Sequence, residues 1–200
     1  MRFLISLVLL VAVAGCSGSS SNTETEHLPA SAEASKSTVV QEKSATDGAV
    51  LTLSVDGLSI ANKQSGKTRT IPFDTDITTS TAAVASALGE PIEKTQNSEC
   101  GAGPMNFVTW SNGLTMNATQ NRFVGWTVRQ DSKSANLTTA DGIGLGTTLA
   151  DLKANYSVET IEDSLGTEFY TSNNLFGLLS ANEPNGVIIY LWSGIACNFR

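Results

Sequence analysis

The chain has little of what most enzyme sites are built from. It holds one histidine in 200 residues, His27, set among serine, threonine and glutamate near the N-terminus, where it reads as a solvated linker residue. Ser-His-Asp and Cys-His sites need an imidazole in the folded part, as do histidine-bearing zinc sites, so those chemistries are excluded there. Charged residues make up only 16% and the excess is acidic, with a formal net charge of -7. No cluster of Lys and Arg forms, which excludes an electrostatic footprint for nucleic acid. Aromatics are sparse at 6%. The apolar run from Phe3 to Val13 falls well short of the ~20 residues that a membrane-spanning helix needs.

What is present points to a globular domain behind an export signal. The apolar fraction of 40% suffices for a buried core. With 17 glycines and recurrent Asp-Gly and Asn-Gly pairs, the composition favours short strands joined by tight turns, with helix as the minority element. Residues 1–15 have signal-peptide grammar: Arg2, an apolar stretch, then small residues leading into Cys16. Val13-Ala14-Gly15-Cys16 resembles the lipobox of bacterial lipoproteins. That resemblance implies cleavage before Cys16 and acylation of its sulfur and new N-terminus, so that the chain is tethered to a membrane by lipid. Ser17 follows where, by the same resemblance, Asp would favour inner-membrane retention, so the expected place is the periplasmic face of the outer membrane. Residues 16–48 are rich in Ser, Thr, Ala and Glu and bury too little to fold, which reads as a disordered linker.

The remainder, 49–200, is expected to be one α+β domain. "VLTLSVDGLSIA" reads as an N-terminal hairpin around Asp56-Gly57, a pair favoured in type I′ turns, and "TRTIPF" as a third strand. "STAAVASALGEP" reads as a helix with Ser80 or a preceding Thr as N-cap and Gly89 at its end. "MNFVTW", "LTMNAT" and "RFVGWTVR" follow as a three-strand meander anchored by Phe107, Trp110, Phe123 and Trp126. A second helix over "GIGLGTTLADLKANY", with Thr148 and Asp151 at capping-box spacing, precedes "TEFYTS", "LFGLLSA" and "VIIYLW". The plan thus recurs at roughly 65 to 70 residues, giving two helix-plus-antiparallel-meander units at about 68–130 and 137–200, with Trp126 and Trp192 in comparable late-strand positions. The glycine-rich opening from Gly142 through Thr147, then a helix and a meander, resembles the repeat of the β-lactamase-inhibitor-protein-like fold. A single unit also resembles the small lipoprotein subunit of the β-barrel assembly machinery. The first unit lacks the glycines before its helix. The resemblance implies a role in protein binding and envelope assembly, and it carries no contact residues over.

With Cys16 lipidated, Cys100 and Cys197 remain as an even pair in an exported domain, where disulfides persist, and are expected to be bonded. Other candidate chemistry thins out on inspection. "DGIGLG" lacks the spacing and the lysine of a phosphate loop. Glu90, Glu93 and Glu99, like Glu159, Glu162 and Asp163, have no spacing that asks for a glycosidase pair, and read as solvated carboxylates. Asn117-Ala118-Thr119 and Asn136-Leu137-Thr138 match glycosylation acceptors but read as turns. No cofactor, metal or catalytic residue is called for. The expected function is that of a non-catalytic, lipid-anchored envelope lipoprotein that binds a protein partner, with Trp110 and Trp126 as candidate binding residues. The alternative is an envelope hydrolase or a glycan-binding module.

Overall fold

The computed structural model describes residues 48–130, 137–163 and 166–198, the side chain of residue 163 excepted. The signal segment 1–15, Cys16 and the linker up to residue 47 lie outside the described residues.

The chain opens with β1 (Ala49–Ser54), β2 (Gly57–Asn62) and β3 (Thr68–Pro72), an antiparallel sheet in that order. Its inner face is apolar by alternation: Leu51, Leu53, Leu58, Ile60 and Ile71 are all buried. The β1–β2 turn lies at Val55 and Asp56, and Asp56 does not take the positive φ that a type I′ turn needs. Gly57 is required for another reason: a Cβ there would stand 2.9 Å from Pro72 Cα, where β3 packs close. The I′-like pair occurs instead at Gln120 and Asn121, with φ 49° and 61°.

Helix α1 (Ile77–Leu88) is capped by Asp76, whose carboxylate accepts from the Thr79 amide at 2.9 Å, and ends at Gly89, whose N–H donates to Ala85. The expected cap at Ser80 or a preceding Thr is displaced because Asp76, four residues before Ser80, already caps the helix. Ser80 lies inside the helix, buried, with its hydroxyl on the Asp76 carbonyl. The stripe Ser80, Ala83, Val84 and Ala87 faces the core. Helix α2 (Leu149–Asn155) starts at Thr148, whose hydroxyl accepts from the Asp151 amide at 3.1 Å.

Four strands follow each helix: β4 (Glu93–Asn97), β5 (Met105–Thr109), β6 (Leu114–Thr119) and β7 (Arg122–Arg129) after α1, and β8 (Val158–Asp163), β9 (Gly166–Thr171), β10 (Leu175–Leu179) and β11 (Ile188–Gly194) after α2. All eight join in one antiparallel sheet of order β4-β5-β6-β7-β11-β10-β9-β8. The expected α+β domain of two helix-plus-meander units is therefore corrected. Among the described residues the protein is mostly β, eleven strands in two antiparallel sheets against two short helices. Two causes underlie the difference. β4 ("EKTQN") and β8 ("VETIED") are polar edge strands without the alternation that marks a half-buried strand. The opening hairpin, moreover, is a sheet of its own.

The core lies between the inner face of the large sheet and the layer made by α1, α2 and the small sheet, with α1 against β1 and β7, and β2 against β7. Among the described residues, Trp126 Nε1 donates to the Ser54 carbonyl at 2.8 Å and Ser193 Oγ donates to that of Val55, in the β1–β2 turn, at 2.7 Å, joining the large sheet to the small one.

Candidate functional site

Strand parity decides which side chains turn away from this core. Thr127 pairs with Trp192, Trp192 with Phe176, and Phe176 with Tyr170; one step along, Arg129 pairs with Tyr190 and Tyr190 with Leu178. Because paired residues share a face, these side chains form two adjacent rows on the outer side of the sheet. The Phe176 and Trp192 rings stack with centroids 6.0 Å apart, Tyr190 tilts onto Trp192 at 5.0 Å, and the Arg129 guanidinium lies 4.7 Å from the Tyr190 centroid. Along β4 to β6 the same face is hydroxylated and amidic, with Thr95, Thr109, Thr115 and Asn117 around Phe107.

Two shallow cavities occupy this face. One, of about 410 Å³, is lined by Leu178, Ile189, Tyr190 and Trp192 with Arg129 and Glu168. The other, of about 330 Å³, is lined chiefly by the threonines, Asn97, Asn117 and Phe107. Arg129, Tyr190 and Cys197 border both. Cys197 is there because the chain turns back after β11. Gly194, at φ 71°, lets it leave the sheet; Ile195 donates its N–H to Val124 O at 2.9 Å, and its carbonyl accepts from Asn117 Nδ2 at 3.0 Å. Cys197 then stands at disulfide distance from Cys100 in the β4–β5 connection, Sγ–Sγ 2.07 Å and Cα–Cα 5.0 Å.

The sequence-derived candidates fall elsewhere. Trp126 is 0% exposed and Trp110 1%, both in the core cluster. Their indole N–H groups are committed to the carbonyls of Ser54 and Gly89, so neither presents a surface to a partner. Trp192 is not the counterpart of Trp126. Trp126 pairs with Ser193, which puts Trp192 on the opposite face of the sheet. Asn117 is a buried strand residue, closed to glycosylation, and Asn136 lies outside the described residues. Glu90, Glu93, Glu99, Glu159 and Glu162 are exposed. Glu159 accepts from the Tyr170 hydroxyl, which raises the Tyr170 pKa, and Glu162 accepts from Thr167. Among the described residues no group of three or more His, Cys, Asp and Glu is placed to hold a metal, and no helix is long and apolar enough to cross a membrane.

The face that sequence reasoning missed consists of Phe176, Tyr190 and Trp192 with Arg129; Trp192 is itself buried, at 5% exposure, Phe176 and Tyr190 are half-buried and Arg129 is exposed. The only signal for it was "VIIYLW", whose continuous apolarity marks a strand covered on both sides. No family model, curated protein or solved structure matches the chain.

Proposed function

We propose that this protein is a lipid-anchored lipoprotein of the cell envelope, held by acylated Cys16 at the periplasmic face of the outer membrane. Its domain binds an envelope protein, without catalysis, through the outer face of the eight-stranded sheet. The observation that carries the reading is the half-buried Phe176 and Tyr190 with the exposed Arg129, packed about the buried Trp192 on a sheet face turned away from the core, with Tyr and Arg among the residue types that anchor protein interfaces. The lipobox supports the address, and some thirty residues rich in Ser, Thr, Ala and Glu separate Cys16 from β1.

The test is crosslinking in intact cells followed by purification of the lipidated protein, compared with Cys16→Ser and Tyr190→Ala. One stoichiometric partner is expected, lost in Cys16→Ser through mislocation and weakened in Tyr190→Ala at the surface itself. Capture of glycan in place of protein, or turnover of a cell-wall substrate by the soluble domain, overturns the proposal.

A further inference from the structure

We propose that the Cys100–Cys197 bond is a redox-operated clamp: it holds residues 195–198 as a strap over the outer sheet face, and reduction by a protein dithiol lifts the strap and opens the groove beneath it.

The strap sits close and is held by little else. At Gly125, opposite Gly194 in the ladder, a Cβ would stand 2.7 Å from Ile195 N, so the chain crosses where β7 has no side chain. Among the described residues the strap's hydrogen bonds to the sheet are the two at Ile195, with a longer Asn97 Nδ2–Cys197 Sγ contact at 3.7 Å. Ile195 is 44% exposed and outside the core cluster, and residues 196–198 are half-buried, so none of the strap's side chains is sunk in the core. Beneath it, Asn117 Oδ1 is buried with no hydrogen-bond partner. Lifting the strap breaks the Asn117 Nδ2–Ile195 hydrogen bond but opens the amide to water, which can then satisfy both of its polar atoms. Cys197 borders both cavities together with Arg129 and Tyr190, and of the three it alone belongs to the strap.

The chemistry runs in one direction for a steric reason. Cys197 is half-buried while Cys100 is buried at 6% exposure. A thiolate of the reductant therefore attacks Cys197 Sγ; the S–S bond breaks, and Cys100 leaves as thiolate and takes a proton. The reductant's second thiol then displaces Cys197 from the mixed disulfide. Two electrons have passed to the cystine and the reductant is left as a disulfide.

What the opened groove does rests on the docking function proposed above, but the release can be measured without a partner. The purified full chain is compared oxidised, reduced with dithiothreitol, and as the Cys100→Ser/Cys197→Ser double variant, by hydrogen exchange with mass spectrometry and by circular dichroism. Exchange across 195–198 is expected to rise on the order of tenfold or more in both reduced and substituted forms, with β7 and β11 still protected. Unchanged exchange in the strap overturns the clamp, and so does loss of the folded circular dichroism spectrum in the reduced and substituted forms, which would make the bond a general staple. Partner capture, measured on the same three forms, is expected to differ between clamped and released protein. Release with no change in capture overturns the docking function and leaves the clamp standing.

Discussion

Replacing Trp126 with phenylalanine separates the two faces of the large sheet. The indole is fully buried, and its N–H is one of the polar links that join the small sheet to the large one. Phenylalanine removes the donor and leaves the Ser54 carbonyl without it, for about 1–3 kcal/mol. The smaller ring also leaves a void where Met116 and Val128 pack in the same cluster. Together these come to about 3 kcal/mol, well below the cost of a full truncation to alanine. For a domain of this size that is a fall in Tm on the order of 10 °C. Thermal unfolding followed by circular dichroism reads it directly. Partner capture below the transition should be untouched, because the face that carries Trp192 lies on the other side of the backbone. Tyr190→Ala should behave in the opposite sense. Its ring is half-buried, so the Tm moves less, while a hot-spot position costs about 2 kcal/mol of binding, roughly thirtyfold in affinity. If Trp126→Phe instead weakens capture at unchanged Tm, the assignment of faces is wrong.

Three further outcomes follow from other parts of the fold. Removing the disulfide frees a separation of 97 residues, for which chain entropy gives up to ~4.7 kcal/mol, read as a lower denaturant midpoint in Cys100→Ser/Cys197→Ser. Asp76 is held below its ordinary pKa of 3.8, first by the Thr79 amide, so its ionised form stabilises the fold above that value and the contribution is lost as pH falls through the lowered one. Asp76→Ala should be less stable near neutral pH and should show a flatter acid profile below about pH 4. Tyr156 is raised above 10.0, first by burial and then by its hydrogen bond to Asp141, so folding favours its protonated form. Stability should therefore fall as pH rises past 10.0, and Tyr156→Phe should remove that alkaline loss in a pH series of unfolding curves.

Much of the domain was legible because local rules act where the chain is half-buried or must turn. The hairpin pattern in "VLTLSVDGLSIA" and the capping pair Thr148 and Asp151 have causes contained within a few residues. The edge strands did not, since a strand paired on one side and wet on both faces carries no apolar period, as "EKTQN" illustrates. The site failed for a different reason. Trp126 and Trp192 are alike in their distance from a strand end, but the face that a residue occupies is set by the ladder it joins. Antiparallel pairing of β7 with β11 places Ser193, not Trp192, opposite Trp126. That register depends on contacts between segments some 65 residues apart, which no local pattern encodes.

The two ends of the large sheet explain why its face is the better binding surface. A partner adding a strand would need an unobstructed edge, and both edges are guarded. All side chains of β4 but Asn97 are exposed, with Glu93 and Lys94 at its start, and β8 carries Glu159 and Glu162. Short, charged edge strands of this kind oppose pairing with another chain. In the small sheet, β1 is met by the segment at Thr138, whose carbonyl accepts from Leu53 N at 2.9 Å, and β3 carries Arg69 and ends at Pro72. Recognition is thereby directed to side chains. The centre of the outer face offers the half-buried rings of Phe176 and Tyr190 beside an already buried Trp192, apolar surface that gains from losing its remaining water, and the threonine half has the hydrogen-bonding capacity that sets register. An edge offers the same backbone pattern whatever happens nearby, whereas a face crossed by a short strap changes its contour when the strap moves. Placing Cys197 at the border of both cavities puts that change under the control of one covalent bond.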